Sequence, residues 1–130
     1  MKLKKLNSKR EKAQGHYAAK LLFQFRVTID GGAGSRRLCE ERVIVFQAAF
    51  GQAALREAKR RGRCAQYRYK NVDGNPVWFQ FIGVLELLRL DHACEPDEVW
   101  YEIVERIRPM ERRAMIIPSE RKLSAIRNLE

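Results

Sequence analysis

Between Tyr17 and Ile29 every odd position is apolar: Tyr17, Ala19, Leu21, Phe23, Phe25, Val27 and Ile29. The even positions carry Lys20, Gln24, Arg26 and Thr28, with Ala18 and Leu22 as exceptions. Successive side chains of a strand point to opposite faces, so this period predicts one long strand with a buried side and a wetter side. A single strand has nothing to bury its apolar side against. The chain must therefore supply both pairing strands and a covering layer.

The rest of the sequence offers candidates for each. The run Asp30-Gly31-Gly32-Ala33-Gly34-Ser35 breaks the strand, and residues 37–48 resume as a second one in which Val43 and Val45 alternate with Ile44 and Phe46. A glycine-rich loop can cradle phosphate when a helix N-terminus follows it. Here a strand follows, which predicts a hairpin turn instead. Residues 50–63 change period: Gly51, Ala54, Leu55, Ala58 and Gly62 share one helical face, while Arg56, Lys59, Arg60 and Arg63 share the other. An amphipathic helix with such small residues suits close approach to a sheet. Residues 65–72 alternate again, Asp73-Gly74-Asn75 marks a turn, and a strand opens at Pro76-Val77 and runs to about Leu90. Plain alternation there puts Val77, Phe79, Phe81, Leu85 and Leu87 on one side, and Trp78, Gln80, Ile82, Val84 and Glu86 on the other. Gly83 marks a bulge or a close backbone approach. Residues 99–108 fit both a helical stripe and a strand; their residue types and the hairpin order favour a strand.

These elements predict an α+β fold: an antiparallel, twisted sheet of four to five strands, order ββαββ(β), with one helix packed on one face. The expected core is Tyr17, Leu21, Phe23, Phe25, Val27, Leu55, Ala58, Tyr67, Tyr69, Phe79 and Phe81. Residues 1–15 read as a basic arm, 16–108 as a single domain, and 109–130 as a partly helical tail bounded by Pro118.

The chain has 130 residues and a net charge of +10. Six basic residues against one acidic place half of that excess in residues 1–15. No stretch approaches the roughly 20 apolar residues of a membrane span, and no apolar run follows the basic N-terminus as in a secretory signal. Cys39, Cys64 and Cys94 are odd in number and widely spaced, unlike a disulfide framework, so a reducing, cytoplasmic location is expected.

Several stretches look familiar together: His16-Tyr17-Ala18-Ala19-Lys20-Leu21-Leu22-Phe23, Glu40-Glu41-Arg42-Val43-Ile44-Val45-Phe46, Tyr69-Lys70-Asn71-Val72-Asp73-Gly74, and Val77-Trp78-Phe79-Gln80-Phe81-Ile82-Gly83-Val84-Leu85. They resemble the small bacterial proteins grouped as domain of unknown function 4288, over roughly residues 16–105. The resemblance implies a bacterial source and a compact α+β fold. It implies no activity, catalytic residue or ligand.

Function must then be sought in the side chains. His92 and Cys94 share a loop, but a structural zinc site needs four ligands. Glu40, Glu41, Glu86 and Glu102 are candidate acid–base groups, yet adjacent Glu40 and Glu41 face opposite sides of a strand and cannot form a dyad. No serine, cysteine or histidine stands in a recognisable nucleophile setting. The expectation is a non-enzymatic module without cofactor or metal. The basic residues are stronger pointers: Lys4, Lys5, Lys9, Arg10 and Lys12 on the arm, Arg56, Lys59, Arg60 and Arg63 on the helix, and Lys20, Arg26, Arg68 and Lys70 on strands, with Trp78 as a stacking surface. Such a footprint suits nucleic acid or another acidic partner. The alternative is an immunity- or adaptor-like role toward a specific protein partner.

Overall fold

Residues 15–29, 31–90 and 98–127 are described by the computed structural model. The alternating segment forms β1 (Gly15–Ile29), the central strand of the sheet. β2 (Gly32–Ala33) folds back on its end, and β3 (Arg36–Ala48) pairs along its length. After helix α1 (Gly51–Cys64) come β4 (Tyr67–Lys70), β5 (Pro76–Leu90) and β6 (Glu98–Ile107). Two short helices, α2 (Arg113–Ile116) and α3 (Ser124–Arg127), follow. The sheet order is β4-β5-β1-β3-β6, every pair antiparallel, with β2 attached to β1. The sheet thus has six strands rather than four or five. The glycine loop itself yields the extra one, because Thr28 and Ile29 pair back onto Ala33 and Gly32.

The two faces of the sheet carry different cores. On one, Tyr17, Ala19, Leu21 and Phe23 of β1 join Ile44, Phe46, Phe79, Val84 and Leu87, together with Ala54, Leu55 and Ala58 of α1. We refer to this as the helix face. Each large side chain buried there stabilises by about 1.5–3 kcal/mol. On the other, Leu22, Cys39 and Ile82 form a smaller cluster against which Leu85, Val104, Met110, Ile116 and Ile117 pack. Tyr67 and Tyr69, expected in the core, stand 53% and 43% exposed. They lie on the short edge strand β4, where Tyr67 stacks on Tyr69 and leans on Phe79 without a layer above them.

Plain alternation also misassigns Val84 and Leu85 of β5. Its register against β1 shifts between Lys20 and Leu21 and again between Leu22 and Phe23, so Ile82 and Leu85 have no partner in β1. Each inserted residue reverses the alternation. Val84 therefore joins Phe81 and Leu87 on the helix face, and Leu85 joins Ile82 on the other. Gly83 lies between the two bulges, and a Cβ there would come within 2.9 Å of Ile117.

That contact marks where the chain after β6 crosses the sheet. Met110, Ile116 and Ile117 pack on the face opposite α1, whereas Leu123 and Ala125 belong to the helix-face core. β4 pairs only with Pro76–Phe79. The segment rounds β5 beyond that point. Glu86 fixes it by accepting from Ser124 N at 2.9 Å and Ser124 Oγ at 3.3 Å, and Lys59 pairs with Glu120.

Gly62 is where α1 comes closest to the sheet: a Cβ on it would lie 2.5 Å from the Phe81 ring. The ring cannot yield as a flexible side chain does. Gly62→Ala is expected to lower unfolding free energy by about 1–2 kcal/mol in urea denaturation, despite alanine's better helix propensity. An unchanged or raised midpoint would contradict this packing.

Candidate functional site

Register brings three of the sequence candidates into one row. Arg26 of β1 and Arg68 of β4 both lie opposite Trp78 of β5. Their Cζ atoms stand 5.9 Å and 5.1 Å from the indole centroid, so a guanidinium flanks the ring from each neighbouring strand. Cation–π attraction of this kind contributes about 0.5–1 kcal/mol where exposed and more where dry. Lys70, two residues beyond Arg68, shares its side of β4. Among the described residues, Arg26, Arg68 and Lys70 form no ion pair with any carboxylate.

Beside this row runs a cleft lined by Gln24, Arg26, Arg37, Gln80, Met110 and Glu111. Its floor is a hydrogen-bonded polar chain. Gln24, fully buried, donates to Gln80 Oε1 at 2.7 Å and accepts from Arg37 Nη1 at 3.0 Å. The Arg37 side chain, only 6% exposed, makes two parallel bonds of 2.6 and 2.7 Å to Glu111 and a third, of 2.8 Å, to Gly34 O. The Arg37 hydrogen bonds hold the Glu111 carboxyl below its ordinary value, more than its slight burial raises it. A buried guanidinium is tolerable only when satisfied in this way. Arg26 Nε is buried without a partner at the rim.

The other candidates lie elsewhere. Lys20 is paired to Glu41 at 3.0 Å. Arg60 is bound to Glu57, Lys59 to Glu120, and Arg56 lies over the Phe50 ring. Arg63 is exposed beside Lys59 at the junction of α1 with the chain after β6. These helix residues lie on the side of the sheet that α1 covers, away from the Arg26–Trp78–Arg68 row. The basic set read from the sequence is therefore two surfaces and not one. Lys4, Lys5, Lys9, Arg10 and Lys12 lie outside the described residues, as do His92 and Cys94.

The carboxylates separate as strand geometry demands. Glu40 binds Arg42 on the helix face, and Glu41 meets Lys20 and Arg106 on the other. Glu86 is engaged by Ser124. Cys64 is exposed, whereas burial pushes the Cys39 thiol up to about 11. Among the described residues, no group of three or more His, Cys, Asp or Glu could hold a metal ion. No helix there is long and apolar enough to cross a membrane. Sequence reasoning missed Arg37 and Arg42. Arg42 lies 4.9 Å over Phe23 and 5.7 Å over Phe79 on the helix face.

Residues 16–99 match the family described as domain of unknown function (DUF4288). No curated protein and no solved structure matches the chain.

Glu111→Ala would leave Arg37 charged, buried and unpaired. Because Glu111 itself is half-exposed, we expect a loss of about 1–3 kcal/mol in denaturation at neutral pH, short of the full cost of breaking a buried pair. The sign with pH follows from the lowered Glu111 value. Its contribution is complete above the ordinary 4.5 and drains away as pH falls through the folded-state value. Glu111→Gln should lack that part of the acid-induced loss; an identical stability–pH curve for the variant would contradict the linkage.

Proposed function

The chain belongs to the DUF4288 family, and from that premise we propose that it is a binding module for nucleic acid, recognising an unpaired base and the phosphates beside it. The observation that carries this reading is Trp78 set between Arg26 and Arg68, with Lys70 alongside. An indole between two guanidinium groups offers a flat surface to a base and positive charge to the backbone on either side of it. Stacking on an aromatic side chain contributes about 1–3 kcal/mol per base, and each phosphate neutralised releases counterions. The nearest carboxylate in the cleft, Glu111, is already neutralised by Arg37, so it opposes an incoming phosphate weakly. The arm residues Lys4, Lys5, Lys9, Arg10 and Lys12 add sequence-independent attraction in this scheme. The proposed role is binding.

Fluorescence anisotropy with a labelled single-stranded oligonucleotide tests this at about 50 mM salt, where such contacts are strongest. Trp78→Ala should weaken binding by roughly 5- to 150-fold. Arg68→Ala should reduce the slope of log K against log salt by about 0.7. Arg60→Ala, on the other surface, should change neither. Absence of binding at low salt, or equal losses from Arg60→Ala and Trp78→Ala, would overturn the reading.

A further inference from the structure

The two long sides of the sheet end differently. β5 is closed by β4 and then by the chain that rounds it at Gly83. β6, at the other end, has no strand beyond it among the described residues. It is also rich in exposed apolar side chains: Trp100 at 50%, Tyr101 at 56%, Ile103 and Ile107 both at 47%. α1 lies over β1, β3 and β5 and leaves this edge open. An unpaired edge of this length presents a row of free N–H and C=O groups to another strand.

Register tells which groups those are. Arg36 lies opposite Ile107, while Arg108 N donates to Ser35 O. In an antiparallel ladder that makes Arg36–Ile107 a non-hydrogen-bonded pair, so the backbone groups of Tyr101, Ile103, Glu105 and Ile107 point away from β3. Arg112 Nη1 reaches Ile107 O at 3.3 Å and covers only that last carbonyl.

The charges on β6 specify what would fit. Glu102 lies opposite Glu41, a like-charge juxtaposition, and has no ion-pair partner among the described residues. Arg106, on the same side four residues on, touches Glu41 only at 3.7 Å and keeps a buried Nε without a partner. We propose that β6 pairs antiparallel with β6 of a second copy of this chain, centred on Val104, so that Glu102 of each copy meets Arg106 of the other. This register is self-consistent. It puts Ile103 opposite Glu105 and Tyr101 opposite Ile107 as hydrogen-bonded pairs, using the outward groups just identified. It puts Val104 opposite Val104 and Glu102 opposite Arg106 as non-hydrogen-bonded pairs, where side chains are closest. Centring one residue earlier sets Glu102 against Val104; centring two earlier sets Glu102 against itself. The result is a two-fold dimer with one sheet running through both copies. It is independent of the proposed nucleic-acid binding, which uses β1, β4 and β5.

The test is a charge swap read by sedimentation velocity on the full chain. The wild type should sediment as a dimer at micromolar concentration. Glu102→Arg sets the introduced guanidinium against Arg106 twice in a homodimer, and Arg106→Glu sets two carboxylates together. Each alone should weaken association by about a hundredfold or more, since like charges facing each other across an interface cost several kcal/mol. An equimolar mixture should recover the dimer, because both pairs are then opposite in sign. A monomeric wild type, a Glu102→Arg variant that dimerises as well as wild type, or a mixture of folded variants that stays monomeric would each overturn the proposal. Glu102→Arg relieves the Glu41 contact and should fold, so it decides the matter even if Arg106→Glu does not.

Discussion

β1 is hydrogen-bonded on both sides, to β3 from Gly15 to Gln24 and to β5 from His16 to Val27. One strand thereby sets the register of its two neighbours and divides their side chains between two cores. Its odd residues meet α1 and the helix-face cluster, while Leu22 seeds the smaller cluster on the other side. A slip of one residue would turn Tyr17, Leu21 and Phe23 toward the polar side and bring Lys20 and Gln24 under the helix. The Arg26–Trp78–Arg68 row inherits the same constraint. Arg26 faces Trp78 because Phe25 faces Phe79, and the aromatic stack of Phe23, Phe25 and Phe79 holds that pairing in place.

Much of this is local and so legible in sequence. β1 announces itself by alternation, α1 by the spacing of Ala54, Leu55, Ala58 and Gly62, and the β4–β5 turn by Asp73-Gly74-Asn75. In that turn the Asn71 side chain accepts from the backbone of Asp73 and Asn75, and Gly74 takes a φ of 78°. What stayed hidden depends on partners distant in the chain. The bulges of β5 follow from its pairing with β1, and no alternation rule within β5 shows them. Tyr67 and Tyr69 have the right period for a core strand, but an edge position leaves them exposed. The site was half legible for the same reason. Arg26, Arg68 and Trp78 were recognisable as types, yet only the strand order makes them neighbours and sends the Arg56–Arg63 ridge to the other side.

The polar floor beneath the cleft shows how a charged residue can sit inside such a sheet. Gln24 and Arg37 occupy positions where β1 and β3 alternate toward the smaller core, which is too thin to be wholly apolar. Their hydrogen bonds to each other, Gln80, Gly34 O and Glu111 offset the desolvation cost of Arg37 locally.

The segment that rounds β5 has a consequence for how the protein comes into being. β5 pairs with β1 across much of the chain, His16 with Leu90, and long-range pairings of this kind form slowly. Ile117, Leu123 and Ser124, which close the flank of β5, follow all the described strands in sequence. Until those residues pack, the flank of β5 beyond β4 is an uncovered margin of the sheet, in addition to β6. A change that keeps those residues from docking would leave two chains free to join along the wrong margin.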